Sequence, residues 1–268
     1  MMTRFHKMHG LGNDFVVIDA RETPVEMTAA RAHAIGDRHT GIGFDQLILL
    51  EPSELADVKM RIFNADGSEV EACGNATRCI ALLMDGPADI ETMGGTLHTE
   101  PGDASATVTL ERPAFEWELI PLAMPMDTRE MPVGWETLER PAAVNVGNPH
   151  VIFFVPDCDA IELERLGPVI EHDPLFPERV NVNAATIVSR EHIRLRVWER
   201  GVGLTRACGT GACATAVAAI RAGRVQSPVR VSLPGGDLMI EWAEGQPIRM
   251  TGPATHVFTG EADWDNFG

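Results

Sequence analysis

The sequence predicts an α+β fold of two pseudo-symmetric domains, each a mainly antiparallel sheet wrapped around a central helix. Three observations predict it: the 268 residues contain two similar halves, the β-rich runs are short, and an alanine-rich helical pattern follows the strands of each half. With 44% hydrophobic residues, the chain has enough apolar material for a substantial core. We place the N-terminal domain at residues 1–118, joined by 252–268, and the C-terminal domain at residues 119–251.

The two halves align at one sequence shift, which the cysteines Cys73 and Cys208 define as 208 − 73 = 135. The same shift places "VKMRIF" (58–63) on "IRLRVW" (193–198) and "GNDFVV" (12–17) on "GNPHVI" (147–152). Farther along, the shift grows to 141, where "GGTLHTE" from residue 94 meets "GGDLMIE" from residue 235. A repeat of this length indicates two similar domains and not a solenoid.

Local patterns predict the individual elements in chain order. Short β-rich runs bounded by Gly, Asp and Asn predict strands at residues 15–19, 46–50 and 58–63. Apolar spacing predicts helices at 27–38, from 76 to a stop at Gly86-Pro87, and at 212–221. The sequences "MGGT" and "PGGD" are typical of hairpin turns, and the proline-rich stretch 113–132 is the predicted crossover between the halves.

Composition and charge exclude several classes of protein. A net charge of −17 disfavours binding to nucleic acid or to an anionic membrane surface. No apolar run approaches the ~20 residues that span a bilayer, and the N-terminus has no apolar signal-peptide core. We therefore expect a soluble cytoplasmic protein that acts on a small molecule. Five cysteines, an odd number, favour reduced thiols over a disulfide framework in that compartment.

The repeat matches polar residues that core packing alone would not favour. The matched pairs are Asn13 with Asn148, Gln46 with Asn181, and Cys73 with Cys208. Two halves related by a pseudo-twofold axis would bring such groups to a shared cleft from opposite sides, and clefts between domains commonly hold ligands. We therefore expect these six residues to line a small-molecule site.

Each matched cysteine precedes a predicted helix, where unpaired N–H groups and a partial positive charge are expected to lower the thiol pKa. The N–H groups of the next residues would bind a carboxylate; these residues are Gly74, Asn75, Gly209 and Thr210. One sulfur would then remove an α-proton while the other delivers a proton to the opposite face, which inverts the centre. The helix termini would stabilise the carbanion electrostatically.

Other uses of the thiols remain as alternatives. Zinc binding lacks a CxxC motif, a Cys–His hydrolase would need only one such cysteine, and a Cys73–Cys208 disulfide would be a by-product of proximity. Pyridoxal phosphate needs a lysine, and neither Lys7 nor Lys59 lies beside a phosphate-cradling loop. We expect neither a metal nor a cofactor. Cys79 and Cys213 are predicted core residues, and Cys158 has no assigned role.

Five motifs resemble those of the diaminopimelate epimerase family. They are "KMHGLGNDF" (7–15), "FNADGSEVEACGN" (63–75), "VGNPH" (146–150), "VNVN" (180–183) and "WERGVGLTRACGTGAC" (198–213). The resemblance implies cofactor-independent interconversion of LL- and meso-diaminopimelate, which serves lysine and peptidoglycan precursor synthesis. It also implies two domains that close over the substrate, usually in a homodimer.

The resemblance assigns roles by position. Cys208 takes the proton from the LL substrate and Cys73 supplies one. His150 would tune the thiol pair, and Glu199 would hold an ammonium group. Substrate would be bound by Asn13, Gln46, Asn64, Asn148, Asn181 and Arg200. Of these, Arg200 suits the distal carboxylate because its planar fork binds a carboxylate bidentately.

Three positions depart from the family pattern. Ala72 replaces a common glutamine, Ala76-Thr77 replaces Gly-Ala, and Ala184 follows "NVN" where an aromatic is frequent. None removes a predicted acid or base. The alternative functions are another two-thiol racemase, such as a proline or hydroxyproline type, and a non-catalytic amino-acid-binding protein.

Overall fold

Two compact units divide the chain, Met1–Val108 with Gly252–Gly268, and Thr109–Thr251. The computed structural model describes residues 2–70 and 73–267. The sequence predicts the first junction at residue 118, and these domain boundaries stay a prediction. Among the helices in the described ranges, none combines the length and the apolar character that a membrane crossing requires.

Short strands and two helices build the first unit. The elements that begin in it are β1 (Met2–Gly10), β2 (Asn13–Asp19), α1 (Ala29–Gly36), β3 (Gln46–Glu51), β4 (Val58–Asn64), β5 (Glu69–Val70), α2 (Gly74–Ala81), β6 (Ala88–Thr92), β7 (Gly95–Pro101) and β8 (Ser105–Leu110).

The second unit repeats this order after a short hairpin of its own. Its elements are β9 (Gly134–Trp135), β10 (Leu138–Glu139), β11 (Ala142–Asn145), β12 (Pro149–Phe154), α3 (Leu163–Glu171), β13 (Asn181–Ser189), β14 (His192–Glu199), β15 (Gly203–Thr205), α4 (Gly209–Arg221), β16 (Val229–Leu233), β17 (Gly236–Glu241) and β18 (Ile248–Pro253). The chain then returns to the first unit as β19 (Thr255–Asp263), which pairs with β1.

Strand pairing shows that the two units share one topology. Strands β2 and β3 are parallel with Phe15 opposite Gln46, and β12 and β13 are parallel with His150 opposite Asn181. These pairs differ by the shift read from the sequence, since 15 + 135 = 150 and 46 + 135 = 181. The parallel pair of β4 and β6 likewise corresponds to that of β14 and β16, and most other pairs in both units are antiparallel. The predicted α+β class is confirmed.

Both predicted hairpin turns are present. Thr92 lies opposite Gly95 between β6 and β7, and Leu233 lies opposite Gly236 between β16 and β17. Gly95 and Gly236 have φ angles of 118° and 138°, which residues with a side chain rarely adopt. The glycine pairs in "MGGT" and "PGGD" therefore meet a backbone requirement of these turns.

One helix in each unit is buried along nearly its whole length. All residues from Asn75 to Ala81 of α2 and from Gly211 to Ala219 of α4 are buried. A helix that is buried on every face must be surrounded by other elements. Because alanine, glycine, cysteine and threonine are small, strands can pack closely around each helix. These are the central helices that the sequence predicts.

The helix boundaries differ from the predicted ones. The first helix is Ala29–Gly36 instead of 27–38, because the Thr28 side chain caps its start by accepting from the Arg31 N–H. Helix α2 begins at Gly74 and ends at Ala81, before the predicted stop at Gly86-Pro87. Helix α3 is additional to the predicted set, and it occupies in the second unit the place that α1 has in the first.

Candidate active site

Cys73 is the N-cap residue of α2 and is half-buried. Its backbone is extended, and its carbonyl oxygen accepts the first helical hydrogen bond from the Thr77 N–H at 2.9 Å. The Thr77 hydroxyl donates to the same carbonyl at 3.0 Å. Cys73 is therefore fixed at the helix start, where the first N–H groups have no carbonyl partner within the helix.

The side chain of Asn13 lies beside the Cys73 sulfur. Asn13 Oδ1 is 3.7 Å from Cys73 Sγ and accepts from Asn75 Nδ2 at 3.3 Å. The other end of the amide, Asn13 Nδ2, donates to Asp45 Oδ2 at 3.1 Å. Because a carboxylate only accepts, Asp45 determines which end of the amide faces Cys73. The carbonyl oxygen of Asn13 therefore faces the thiol.

A charged network holds Asp45 and its neighbour Asp14 in place. Arg38 Nη2 bridges Asp14 Oδ1 at 2.7 Å and Asp45 Oδ1 at 2.8 Å, and Lys7 Nζ contacts Asp14 and the Gly43 carbonyl. Burial alone would raise the pKa of Asp14, but hydrogen bonds from Arg38 and Lys7 outweigh it and lower that pKa to about 2. Asp14 therefore stays ionised at neutral pH and stays paired with both cations.

Arg78 contacts the first turn of α2 and was not predicted as a site residue from the sequence. The side chain is fully buried in α2, and its Nη2 donates to Asn75 Oδ1 at 2.6 Å. It also donates to the carbonyl oxygens of Gly74 at 3.3 Å and Pro253 at 3.4 Å. A buried guanidinium with several acceptors orders the first turn of the helix, including the amide of Asn75 that meets Asn13.

Gln46 and Asn64 form a second amide pair in the first unit. Gln46 Nε2 donates to Asn64 Oδ1 at 3.0 Å, and Asn64 Nδ2 donates to the Ser68 hydroxyl at 3.1 Å. Gln46 Oε1 is buried and has no hydrogen-bond partner among the described residues. A buried acceptor without a donor costs about 1–3 kcal/mol, so this oxygen is suited to receive an N–H donor from a ligand.

Cys208 is the N-cap residue of α4 and is only 3% exposed. Its sulfur accepts from the Gly211 N–H at 3.3 Å and lies 3.6 Å from the Thr210 hydroxyl. A Cβ atom at position 211 would lie 3.2 Å from this sulfur and 3.0 Å from Val197, so a glycine permits the close approach. The Cys208 thiol therefore packs against the backbone of the first turn of α4.

Burial has the largest effect on Cys208 and raises the pKa of its thiol well above the usual range. The negative charge of Glu199 raises that pKa further, and the hydrogen bonds from Thr210 and Gly211 only partly oppose this. The expectation that the helix terminus lowers the thiol pKa is therefore wrong for Cys208, since the loss of solvent outweighs the hydrogen bonds that the start of the helix supplies.

Glu199 is the ionisable partner of Cys208. The side chain is half-buried at the end of β14, and burial raises its pKa, which interactions with Thr205 and then Cys208 partly offset. A carboxylate with a raised pKa is a better proton acceptor than an exposed one. The charge of Glu199 and the protonation of Cys208 therefore influence each other.

His150 is fully buried and neutral. Burial is the main cause that lowers its pKa to about 3, and the charge of Arg200 acts in the same direction. Its Nε2 lies 2.9 Å from Asn148 Oδ1, and its Nδ1 lies 3.3 Å from Asn183 Nδ2. With the amides in these orientations, the imidazole donates through Nε2 to Asn148 and accepts through Nδ1 from Asn183. His150 thus orients Asn148.

Asn183 was not among the predicted site residues. Its Nδ2 also lies near the Gly211 carbonyl, at 3.3 Å, and near the Thr215 hydroxyl, at 3.1 Å. These contacts connect His150 to the first turns of α4. Asn183 lies between apolar residues in "VNAA" (182–185), and this polar residue was the signal that could have identified it.

Asn181 and Arg200 meet through the backbone. Asn181 Nδ2 donates to the Pro149 carbonyl at 2.9 Å, and Asn181 Oδ1 accepts from the Arg200 N–H at 2.9 Å. The guanidinium of Arg200 is exposed and donates to the Glu178 carbonyl at 3.0 Å. Of its five N–H donors, this is the one side-chain contact among the described residues, so the guanidinium can also bind a ligand.

The profile of the family described as diaminopimelate epimerase matches residues 5–113 and 142–257. The chain is 71% identical to the diaminopimelate epimerase of Sphingopyxis alaskensis and 55% identical to that of Zymomonas mobilis, in each case over 100% of both chains. It is 47% identical to that of Ectopseudomonas mendocina over 97% of this chain and 99% of the relative.

The chain belongs to the diaminopimelate epimerase family.

Solved structures of other proteins share the fold of this diaminopimelate epimerase family member. A phenazine biosynthesis protein of the PhzF family from Bacillus anthracis matches with a TM-score of 0.70 and 16% identity, over 98% of this chain and 99% of the other. A hydroxyproline epimerase from Agrobacterium vitis matches with a TM-score of 0.66 and 16% identity, over 97% and 91%. At such identities the likeness concerns the fold alone.

The departures from the diaminopimelate epimerase pattern fall mostly at buried positions. Ala76 and Thr77 are buried in α2, and Ala184 packs into the core of the second unit. Ala72 lies outside the described residues. Small side chains at these positions change packing, and the Thr77 hydroxyl adds a contact to the Cys73 carbonyl.

The other cysteines are buried away from this chemistry. Cys79 and Cys213 are fully buried, which confirms them as core residues, and burial raises the pKa of Cys79 to about 12. Cys158 is buried between Asp157 and Asp159, and these three groups are close enough together to be metal ligands. Arg194 contacts both carboxylates and offsets part of their negative charge.

Proposed function

We propose that this chain interconverts LL- and meso-diaminopimelate through two cysteines that act as acid and base. The observation that carries the proposal is the repeated placement of Cys73 and Cys208, each as the N-cap of the buried helix of its unit. Membership of the diaminopimelate epimerase family, with a relative 71% identical over the full chain, supports the substrate.

The contacts of the two sulfurs support different roles for them. Cys73 can donate its thiol proton to the Asn13 carbonyl oxygen, 3.7 Å away, and an oxygen acceptor favours the protonated form. Cys208 accepts an N–H from Gly211 at 3.3 Å, and this donor stabilises a negative sulfur, which opposes part of the rise in pKa that burial and the charge of Glu199 cause. We therefore assign Cys73 as the acid and Cys208 as the base toward the LL isomer.

The proton balance follows from this assignment. The thiol proton of Cys208 passes to Glu199, whose raised pKa makes it an acceptor. The Cys208 thiolate then removes the substrate α-proton, and the Cys73 thiol supplies a proton to the opposite face of the carbanion. At the end Cys208 is a thiol, Cys73 a thiolate and Glu199 a protonated carboxyl, which is the starting state for the reverse reaction. When Glu199 loses its proton to solvent and Cys73 takes one from solvent, the site is ready for another LL substrate.

The α-carboxylate of the substrate is the group that the helix starts would bind. The first-turn N–H groups belong to Gly74, Asn75, Gly209 and Thr210, and an anion is favoured at such termini. Charge drawn into the carboxylate as the α-proton leaves would be stabilised there. Asn13 and Asn148 are matched by the same shift of 135 residues as the two cysteines. Their side-chain amides are proposed to contact the substrate.

Arg200 is proposed to bind the distal carboxylate. It occurs in one repeat only, because the matched position 200 − 135 = 65 is Ala65. Only one half must recognise the distal end, because one α-carbon reacts while the other end of the ligand is only bound. Gln46 Oε1 is a buried acceptor without a partner among the described residues, and we propose that it accepts from a substrate ammonium group. Asn64 lies beside Gln46, and Asn181 lies beside Arg200, so both are proposed to contact the substrate as well.

The remaining expectations are part of the same proposal. The reaction needs no metal and no pyridoxal phosphate, because both proton transfers use side chains of the chain itself. A cytoplasmic location and a homodimer are proposed from the family resemblance. A proline-type racemase is less well supported, since a proline-sized substrate would leave Arg200 without a carboxylate partner.

The test is incubation of the purified protein with LL-diaminopimelate, without added cofactor, followed by chiral analysis of the products. We expect an equilibrium mixture of LL and meso isomers, and the same rate after dialysis against a chelator. A protein that racemises proline but leaves diaminopimelate unchanged would overturn the proposed substrate. Loss of turnover on chelation, restored by zinc, would overturn the cofactor-independent reaction.

A further inference from the structure

Glu171, the last residue of α3, is a buried carboxylate outside the chemistry proposed above. Its side chain is 3% exposed. Glu171 Oε2 accepts from the indole Nε1 of Trp198 at 2.8 Å, and Oε1 accepts from the Gly201 N–H at 2.9 Å. Arg179 approaches Oε1 at 3.9 Å. The two oxygens of Glu171 therefore bind the residues on either side of the segment 199–200, Trp198 before it and Gly201 after it.

That segment contains Glu199 and Arg200. The Gly201 N–H is held by Glu171, and the preceding N–H, of Arg200, is held by Asn181 at 2.9 Å. The turn closes with a bond from the Val202 N–H to the Glu199 carbonyl at 3.0 Å. Two buried side chains thus fix successive peptide groups at the point where the strand ends and Arg200 projects.

Helix α3 also fixes the Trp198 indole from a second side. A Cβ atom at Gly167 would lie 2.4 Å from the indole Cγ, so the ring packs directly on the helix backbone. Gly167 and Glu171 are one helical turn apart, on the same face of α3. The ring packs on Gly167 while its N–H reaches the carboxylate of Glu171.

The first unit lacks this arrangement at the matched positions. Subtraction of 135 from 171, 198 and 200 gives Gly36, Phe63 and Ala65. Glycine has no carboxylate and phenylalanine has no N–H, and Gly36 simply packs against Ala65. The buried carboxylate and its indole donor thus occur in the repeat that carries Arg200. Since burying a charge is costly, packing alone does not explain Glu171.

We propose that Glu171 is a positioning residue for substrate specificity, which fixes the turn from Glu199 to Gly201 so that Arg200 meets the distal carboxylate. This inference rests on the proposed function. A displacement of about 1 Å at a binding group can change rates strongly, so loss of the Glu171 contacts should weaken recognition through Arg200. A merely structural role would lower stability without any dependence on Arg200.

The experiment is a double-mutant cycle between positions 171 and 200, measured as kcat/KM with LL-diaminopimelate. We expect Glu171→Gln to lower kcat/KM by tenfold or more, mainly through KM, in the otherwise unchanged enzyme. In an Arg200→Met background the same change should cost less than about threefold, because the group it positions is gone. Glu164→Gln, an exposed carboxylate on the same helix, is the matched control and should leave kcat/KM unchanged.

A second variant covers the case in which Glu171→Gln fails to fold. Trp198→Phe removes only the indole donor and introduces the residue that the first unit carries at the matched position, Phe63. It should also raise KM, and its effect should also shrink in the Arg200→Met background. Equal losses in both backgrounds, or no loss at all, would overturn the positioning role.

The two proposals can be separated by calorimetric titration of meso-diaminopimelate. If the wild-type protein does not turn over LL-diaminopimelate, the proposed function fails, and the same cycle is then measured as Kd. If the wild-type protein is active and Glu171→Gln binds and turns over normally, only the positioning role of Glu171 fails.

Discussion

The Oδ1 atom of Asn13 lies 3.7 Å from the Sγ atom of Cys73, in position to accept the proton of the thiol. Asn13 can present this oxygen because Asp45 binds the other end of its amide at 3.1 Å. In the second unit the Gly211 N–H donates to Cys208 Sγ at 3.3 Å. The two matched cysteines thus have opposite hydrogen-bond partners, an acceptor at Cys73 and a donor at Cys208.

Replacement of Asp45 by asparagine should alter the reactivity of Cys73. Without the carboxylate the Asn13 amide is free to rotate and present its N–H groups to sulfur, which favours the thiolate. We expect iodoacetamide to label Cys73 faster at a given pH in Asp45→Asn, with a lower apparent pKa. Peptide mapping by mass spectrometry measures this. Asp103→Asn removes an equal charge from an exposed aspartate of the same unit, and an identical shift there would refute the orienting role of Asp45.

Glu199→Gln should reduce activity while it leaves the protein equally or more stable at alkaline pH. The loss of a proton acceptor beside Cys208 should lower kcat by roughly 10²–10⁴-fold. Burial raises the pKa of Glu199, so the folded protein binds the carboxyl proton more tightly than the unfolded chain does. The resulting stabilisation of the fold is fully present below the unfolded carboxyl pKa of about 4.3. It is lost as the pH rises through the higher folded pKa.

Urea unfolding at several pH values checks this second effect. The stability of Glu199→Gln relative to wild type should increase from acidic to alkaline pH, whereas Glu191→Gln, at an exposed glutamate, should show no such trend. A relative stability that instead falls with rising pH would contradict the raised pKa.

His150 should remain neutral throughout the working range of the protein. Its folded pKa is about 3, well below the unfolded value of about 6.5. Above pH 6.5 it has no effect on the pH dependence of stability. Below that, the unfolded chain binds a proton that the folded chain excludes, so the free energy of unfolding falls by up to about 1.4 kcal/mol per pH unit.

Two measurements test this behaviour of His150. The His150→Gln variant should show a shallower loss of stability between pH 6.5 and 4 than the wild type. The imidazole NMR signals of His150 should be constant from pH 8 to 5. A titration midpoint near 6.5 would mean that His150 carries charge in the site.

Arg200→Met should lower kcat/KM for diaminopimelate by roughly 10²–10³-fold. An unpaired buried carboxylate on the ligand costs about 3–5 kcal/mol, and the remote binding energy also contributes to turnover. Arg190→Met, at an exposed arginine of the same unit, is the control and should behave as wild type. Steady-state kinetics that show no difference between the two variants would assign Arg200 to the surface.

The features that the sequence predicts are those that repeat. One shift of 135 residues identifies Cys73 with Cys208 and also predicts the strand register that places Gln46 opposite Phe15 and Asn181 opposite His150. The cysteine positions at the helix starts follow from the glycine and alanine pattern after each one. Local and periodic signals suffice for these features.

Features that depend on contacts distant in sequence were missed. Arg78 has the local pattern of a surface residue, and only the fold brings the Pro253 carbonyl to its guanidinium. The raised pKa of Cys208 was also missed, because a helix start is visible in sequence while the extent of burial is not. Glu171 is in the same class, since its partners Trp198 and Gly201 lie 27 and 30 residues away.

The paired-thiol mechanism is tested most directly by epimerisation of LL-diaminopimelate in heavy water. The meso product should carry deuterium at the inverted carbon from its first formation, while the remaining substrate stays protiated at early times, because the incoming proton comes from the second sulfur. Cys73→Ala and Cys208→Ala should each abolish inversion and exchange the α-proton of opposite isomers, whereas Cys158→Ala should epimerise normally. Early product that retains the substrate hydrogen, or near-normal epimerisation by either single variant at position 73 or 208, would contradict the mechanism.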